Sequence, residues 1–215
     1  MPNLSLRVYR PTIHVLIRLS AAASALALAL TGNTTNAALI WNEQANGDFS
    51  DDRFAPTPLL LAEGSNEVFA RIEAQDIDGN LDLDYYSITI PQGYRLAQVI
   101  LDTYLSTDFA AFMGIQPGPI FPNDPATVEP GDLLGYLHFG PDLQGLDMLP
   151  LMGANGQGFA PPLPAGTYTL WVQQVGDFTE YAPNFIVEQV PAPGSLSALM
   201  TAMVIGTATR RRRVS

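Results

Sequence analysis

The densest chemistry in the chain is the run Asp76-Ile77-Asp78-Gly79-Asn80-Leu81-Asp82-Leu83-Asp84, where a side-chain oxygen recurs at every second position. Calcium takes about six to eight oxygen ligands, and alternate acidic residues on a turn supply them. The run is not an EF-hand loop. Glycine stands fourth rather than sixth, and Ser87 occupies the twelfth place, where such a loop carries glutamate. The same residues also suit an acidic hairpin turn ahead of a strand, with Gly79 and Asn80 serving backbone geometry. Asp76, Asp78, Asn80, Asp82 and Asp84 are thus the calcium candidates, and calcium is the one cofactor that any pattern here points to. A second acidic group, Asp48, Asp51 and Asp52, adds ligands if it folds alongside.

Other chemistries find less support. Two carboxylates at the right separation serve a glycosidase, but among 21 acids some pair meets that spacing by chance. His14 lies in the leading segment, which leaves His138, in Leu137-His138-Phe139, as the only other histidine. No Gly-x-Ser-x-Gly elbow accompanies it, and no phosphate-cradling glycine loop is present. The chain has no cysteine, which excludes disulfides, a thiol nucleophile and thiolate metal ligands. Tyr85, Tyr86, Tyr94, Tyr104, Tyr136, Tyr168 and Trp171 fall on predicted strands. Their rings either fill a core or stack on sugar rings.

Charge is unevenly spread. There is no lysine, and seven of the ten arginines sit at the two ends. The middle holds Arg53, Arg71 and Arg95 against all 21 acids, a net charge of −18. So acidic a domain repels phosphate backbones, which excludes nucleic acid as a partner, and attracts cations.

The ends read as addresses. Arg7, Arg10 and Arg18 precede the short apolar run Leu19–Leu30, then polar Thr31–Asn36 and small Ala37 and Ala38. That is the order of a signal peptide cut after Ala37 or Ala38, too short in its apolar part for a stable membrane span. At the other end, Val190-Pro191-Ala192-Pro193 precedes an apolar stretch, Leu196–Thr209, and then Arg210, Arg211, Arg212 and Arg213. A weak span with a basic stop on the cytoplasmic side suits a transient transmembrane sorting helix.

These three parts in this order resemble the PEP-CTERM sorting signal of Gram-negative bacteria that make extracellular polysaccharide. Ala192 stands where that family usually carries glutamate. The resemblance implies export through the secretory translocon, a pause at the inner membrane, and processing by an exosortase-type enzyme. The protein would then pass to the cell surface or the extracellular matrix.

Between the ends, turn residues punctuate the chain: Asn46-Gly47, Gly64-Ser65-Asn66, Asp78-Gly79-Asn80, Pro91-Gln92-Gly93, Pro117-Gly118, Pro130-Gly131 and Pro164-Ala165-Gly166. Short alternating or apolar runs lie between them, including Glu67–Ile72, Tyr85–Ile90, Leu96–Thr103 and Thr167–Val175. No window keeps a helical stripe. The pattern predicts an all-β chain with a single β-sandwich, jelly-roll or Ig-like, over residues 38–189. A signal peptide over 1–37 and a sorting signal over 190–213 flank it. The stretch Phe139–Pro162, rich in Gly and Pro, reads as a surface loop exposing Asp147 and Asn155.

Two phrases, Asp84–Gly93 (DYYSITIPQG) and Leu163–Val172 (LPAGTYTLWV), resemble bacterial pre-peptidase C-terminal domains and a broader set of PEP-CTERM proteins. Those domains are small accessory or binding β-sandwiches. The resemblance implies an accessory or binding module. Taken with the ends and the acidic run, the expectation is a non-catalytic protein, structural or adhesive within an exopolysaccharide layer and stiffened by calcium. The alternatives are a small secreted polysaccharide-acting hydrolase and a carbohydrate-binding module.

Overall fold

The computed structural model describes residues 37–75, 81–106, 109–174 and 176–191. The chain divides into Met1–Thr34, outside the described residues, and Thr35–Ser215, which holds everything described below. Its elements are β1 (Ala38–Asn42), α1 (Glu43–Asn46), β2 (Thr57–Leu60), β3 (Gly64–Glu73), β4 (Asp84–Ser106), β5 (Ala111–Pro117), β6 (Gly135–Phe139), α2 (Leu149–Gly153), β7 (Leu163–Gln173) and β8 (Phe178–Gln189). Strands take 54% against 10% for helix, so the class is all-β.

The strands join one large mixed sheet in the order β1-β3-β8-β4-β7-β5-β6, with β2 added alongside β4. The β1–β3 and β2–β4 pairs are parallel and the others antiparallel. Alternation sets the faces, because successive side chains point to opposite sides of a strand. In β3, Val68, Ala70 and Ile72 are fully buried, while the side chains between them look outward.

β4 is the frame of the molecule. Its first part, Asp84–Ile90, pairs with β7, and the part from Tyr94 onward pairs with β8. The register breaks between Ile90 and Arg95, where Gly93 takes a φ of 84° that only glycine adopts without strain. Pro91-Gln92-Gly93, expected as a turn between two strands, is instead a corner inside one strand. Such bends carry a strand from one layer to another. The sheet closes over itself in a sandwich-like way: the hydroxyl of Tyr181, whose neighbour across the ladder is Tyr104, donates to Asp84 Oδ2 at 2.6 Å. Ile88, Ile90, Leu96, Val99, Met113, Leu170, Phe185 and Val187 belong to the main core, and Tyr85, Phe121, Leu133 and Trp171 form a second, smaller cluster.

The fold therefore has a corner end and an open end. Leu163 lies opposite Leu96, Leu96 opposite Val187, and Val187 opposite Gly64, all near the corner. Val190 N donates to Gly93 O there. At the open end Asp84 faces Val172, Ser106 faces Thr179 and Glu73 faces Phe178.

Pro164-Ala165-Gly166 was also expected as a turn, and it too lies within a strand, β7. The segment expected as a surface loop is mostly exposed, but part of it packs inward. Met148, Leu149 and Met152 are fully buried, and Asp147 Oδ1 accepts from Val99 N at 2.9 Å and Leu149 N at 3.0 Å. Asp147 is half-buried because it ties α2 to β4, whereas Asn155 is exposed. The apolar spacing of this segment serves tertiary packing that no local period announces. It also touches the β6 edge: Asn155 Nδ2 donates to Tyr136 O, and just ahead of the strand Gln157 N and Gly158 N donate to Leu133 O and Leu134 O. Tyr136 O, capped in this way, is not free to pair with another chain. Among the described residues no helix is long and apolar enough to cross a membrane. The expected sorting helix and Ala192, Pro193 and Arg210–Arg213 lie outside the described residues, as does the signal peptide up to Asn36.

Candidate functional site

Two places at the open end depart from the rule of apolar inside and polar outside. The first is an acidic corner. Asn42 caps α1 by accepting from Gln44 N, and this turn delivers Glu43 to β3. Glu43 accepts from Phe49 N and from Arg71 N, so its carboxylate is fixed by two backbone donors. The next turn brings Asp48. Asp84, at the head of β4, is completely buried. Carboxylate oxygens of Glu43, Asp48 and Asp84 all lie within 4.8 Å of one another.

Asp82 is also buried and accepts from Glu73 N, while Asp51 accepts from Leu83 N at 2.8 Å. The Asp48 turn thus does reach the acidic run. Asp76, Asp78 and Asn80 lie outside the described residues, so of the sequence candidates Asp82 and Asp84 are the two whose positions are known here. Glu43 was not a candidate from sequence. Its contribution depends on the parallel β1–β3 pairing, for which no nearby signal exists.

Electrostatics at this corner follow from burial with little compensation. Burial, with the Asp48 charge beside it, pushes the Glu43 carboxyl up to about 8. Burial lifts Asp82 to about 7 against the lowering effect of its bond from Glu73 N, with Asp48, Asp51 and Glu73 adding repulsion. Asp84 is raised well above the ordinary carboxylate range, first by burial and then by Glu43, although Tyr181 opposes this by donating to it. Asp48 is raised by partial burial and by Asp51. Desolvation and like charge act in the same direction on each of them.

The second place is an aromatic groove near the β6 edge. Phe112 faces His138 across the β5–β6 pair, and Gly114 lies between Tyr136 and Trp171 in register. These residues therefore share one sheet face. Gly114 leaves room there: a Cβ would come within 3.2 Å of the Phe112 ring. The Phe112 ring sits 4.7 Å from Trp171, 6.0 Å from Tyr136 and 5.6 Å from His138 between centroids. The segment 118–134 forms the opposite wall. Gln116, buried and using both its donor and its acceptor, holds that wall through Asn123, Asp132 O and Leu134 N. Thr169 Oγ1 donates to Gly118 O at 2.8 Å, and Phe121 packs fully buried against Tyr85 and Trp171.

The groove encloses about 260 Å³, lined by Phe112, Tyr136, Trp171 and His138 on one side and by Val128 and Glu129 among others on the second. This is just below the range of about 300–1,000 Å³ typical of sites for drug-sized molecules. Trp171 is almost wholly buried, whereas Phe112 and Tyr136 are half-exposed and His138 is exposed. Of the aromatics read from sequence, Tyr85, Tyr86, Tyr104 and Tyr168 belong to buried packing, and Tyr136 and Trp171 reach the groove. Phe112 went unremarked in the sequence, although Phe112-x-Gly114 and Tyr136-x-His138 have the period that puts them on one face.

Comparisons of the chain with family models, with curated proteins and with solved structures found no match.

Proposed function

We propose that this chain is an exported, non-catalytic protein of the bacterial envelope or extracellular matrix, which adheres to polysaccharide. The order of its ends supports the route: secretory export, a pause at the inner membrane on the tail from Val190 to Arg213, and processing by an exosortase-type enzyme. The sheet between them is read as a single β-sandwich, with β4 turning the corner between its layers.

The observation that carries the adhesive reading is the aromatic groove. Stacking the C–H face of a sugar ring on Phe112 or Tyr136 buries apolar surface without requiring charge. The groove's size suits one or two rings. The acidity of the domain favours an uncharged sugar over an anionic one.

The test uses protein recovered from its own host. Its intact mass lacks about 37 residues at the front and everything after the Pro191–Pro193 region, and it is retained on host polysaccharide while releasing no reducing sugar. An intact tail held in the inner membrane defeats the sorting reading. Release of reducing sugar makes the protein a hydrolase instead.

A further inference from the structure

The acidic corner has a distinct chemistry, independent of the groove and of the sorting route. We infer that Glu43, Asp48 and Asp84 form a calcium site that fastens the first strand and helix of the domain to the head of β4. The three carboxylates come from three separate places: the start of α1, the turn after it, and the first residue of β4. Calcium–oxygen distances of about 2.3–2.6 Å put opposite ligands roughly 4.6–5.2 Å apart. Oxygens within 4.8 Å of one another are the set such an ion gathers. The donors are all oxygen, which suits a hard cation over zinc or copper.

An independent observation comes from Asp84. It is 0% exposed, and while its Oδ2 accepts from Tyr181, its Oδ1 has no hydrogen-bond partner among the described residues. A buried carboxylate oxygen without a donor is costly and calls for a counter-charge. None of the three arginines between the chain's ends supplies it. Arg71 pairs with Glu73 and Glu180 and lies over Phe178. Arg53 lies over Phe54 and donates to Phe121 O and Pro122 O, and Arg95 pairs with Glu188. Carboxylate oxygens of Glu43 and Asp48 also lie within 4.8 Å of each other. Like charges that near each other favour a shared proton or a cation between them. Asp48 is exposed, so an ion reaches the site from solvent on that side and meets the buried Asp84 behind it.

The site differs from the loop reading of Asp76–Asp84, with which it shares only Asp84. Asp48 therefore discriminates between the two, and its exposed side chain can be changed without disturbing the core. The experiment is calcium titration of EDTA-treated protein at pH 7.5, followed by calorimetry and thermal unfolding. One calcium binds, and at a hundredfold excess over Kd the Tm rises by on the order of 5–10 °C. Asp48→Asn and Asp84→Asn each weaken binding at least tenfold, while Asp142→Asn, an exposed acid elsewhere, binds as the wild type does. A wild-type Tm indifferent to calcium means that protons alone neutralise the corner, and the inference fails. It fails equally if Asp48→Asn keeps full affinity while Asp78→Asn loses it.

Discussion

The acidic corner and the aromatic groove lie at the same end of one sheet and handle exposure in opposite ways. The corner draws charge inward, with Asp82 and Asp84 buried and Asp48 left at the surface. The groove pushes rings outward, with Trp171 buried and Phe112 and Tyr136 half-exposed in front of it. A buried carboxylate depends on what neutralises it, so the corner's stability responds to pH and to cations. An aromatic face depends on area and responds to neither. One fold thus holds a conditional element and an unconditional one side by side.

The largest effect expected tests the groove as packing. Trp171→Ala removes the ring that holds Tyr85, Phe112 and Phe121 together and costs about 3–5 kcal/mol, read as a lower denaturant midpoint. A smaller loss means that the wall formed by residues 118–134 collapses to fill the space.

The next effect belongs to the corner. Glu43, Asp82 and Asp84 have carboxyls raised by the fold, to about 8, about 7 and well above the ordinary range. A raised carboxyl binds its proton more tightly folded than unfolded. Its stabilising contribution is whole below about pH 4 and is lost as pH rises through 7 and 8. In EDTA, Tm falls by several degrees between pH 5 and pH 8.5. Asp84→Asn flattens that fall, because it leaves Tyr181 an acceptor and takes one charge away from Glu43, Asp48 and Asp82. A wild-type Tm that stays level over this range removes the contrast between the two regions.

The smallest change in stability comes from Tyr136→Ala, about 1–2 kcal/mol, because the ring is half-buried against Phe112 at the rim of the cluster. Retention on polysaccharide nevertheless weakens roughly tenfold, the loss of about 1.4 kcal/mol of binding. If retention is unchanged, the groove is not the adhesive surface.

The strands were legible where one face is wet. The alternation in Glu67–Ile72 reads correctly because Val68, Ala70 and Ile72 face the core and Arg71 faces water. The corner in β4 was not. Proline and glycine report local backbone geometry, and both Pro91–Gly93 and Pro164–Gly166 satisfy theirs while the ladder continues past them. The segment around α2 misled for a related reason, since its glycines and prolines resemble a loop although Met148 and Met152 are core. At the acidic corner the run ending in Asp84 was visible, but Glu43 was not, because it arrives through pairing between distant segments. No local pattern encodes a residue's neighbours across a fold.

The register of the first and last strands fixes where the backbone enters and leaves the sheet. β1 runs parallel to β3 from Ala38, level with Asn66, and β8 leaves at Gln189, level with Tyr94 beside the corner. The backbone thus arrives and departs at the same pole. From Val187 to Phe178 the sheet extends roughly 30 Å to the opposite pole, where Asp84, Glu43, Trp171 and Phe112 lie. If the domain were held by either strand end, the acidic corner and the aromatic groove would face away from the point of attachment. A ligand of the kind proposed for either place would approach from the side opposite Pro91–Gly93.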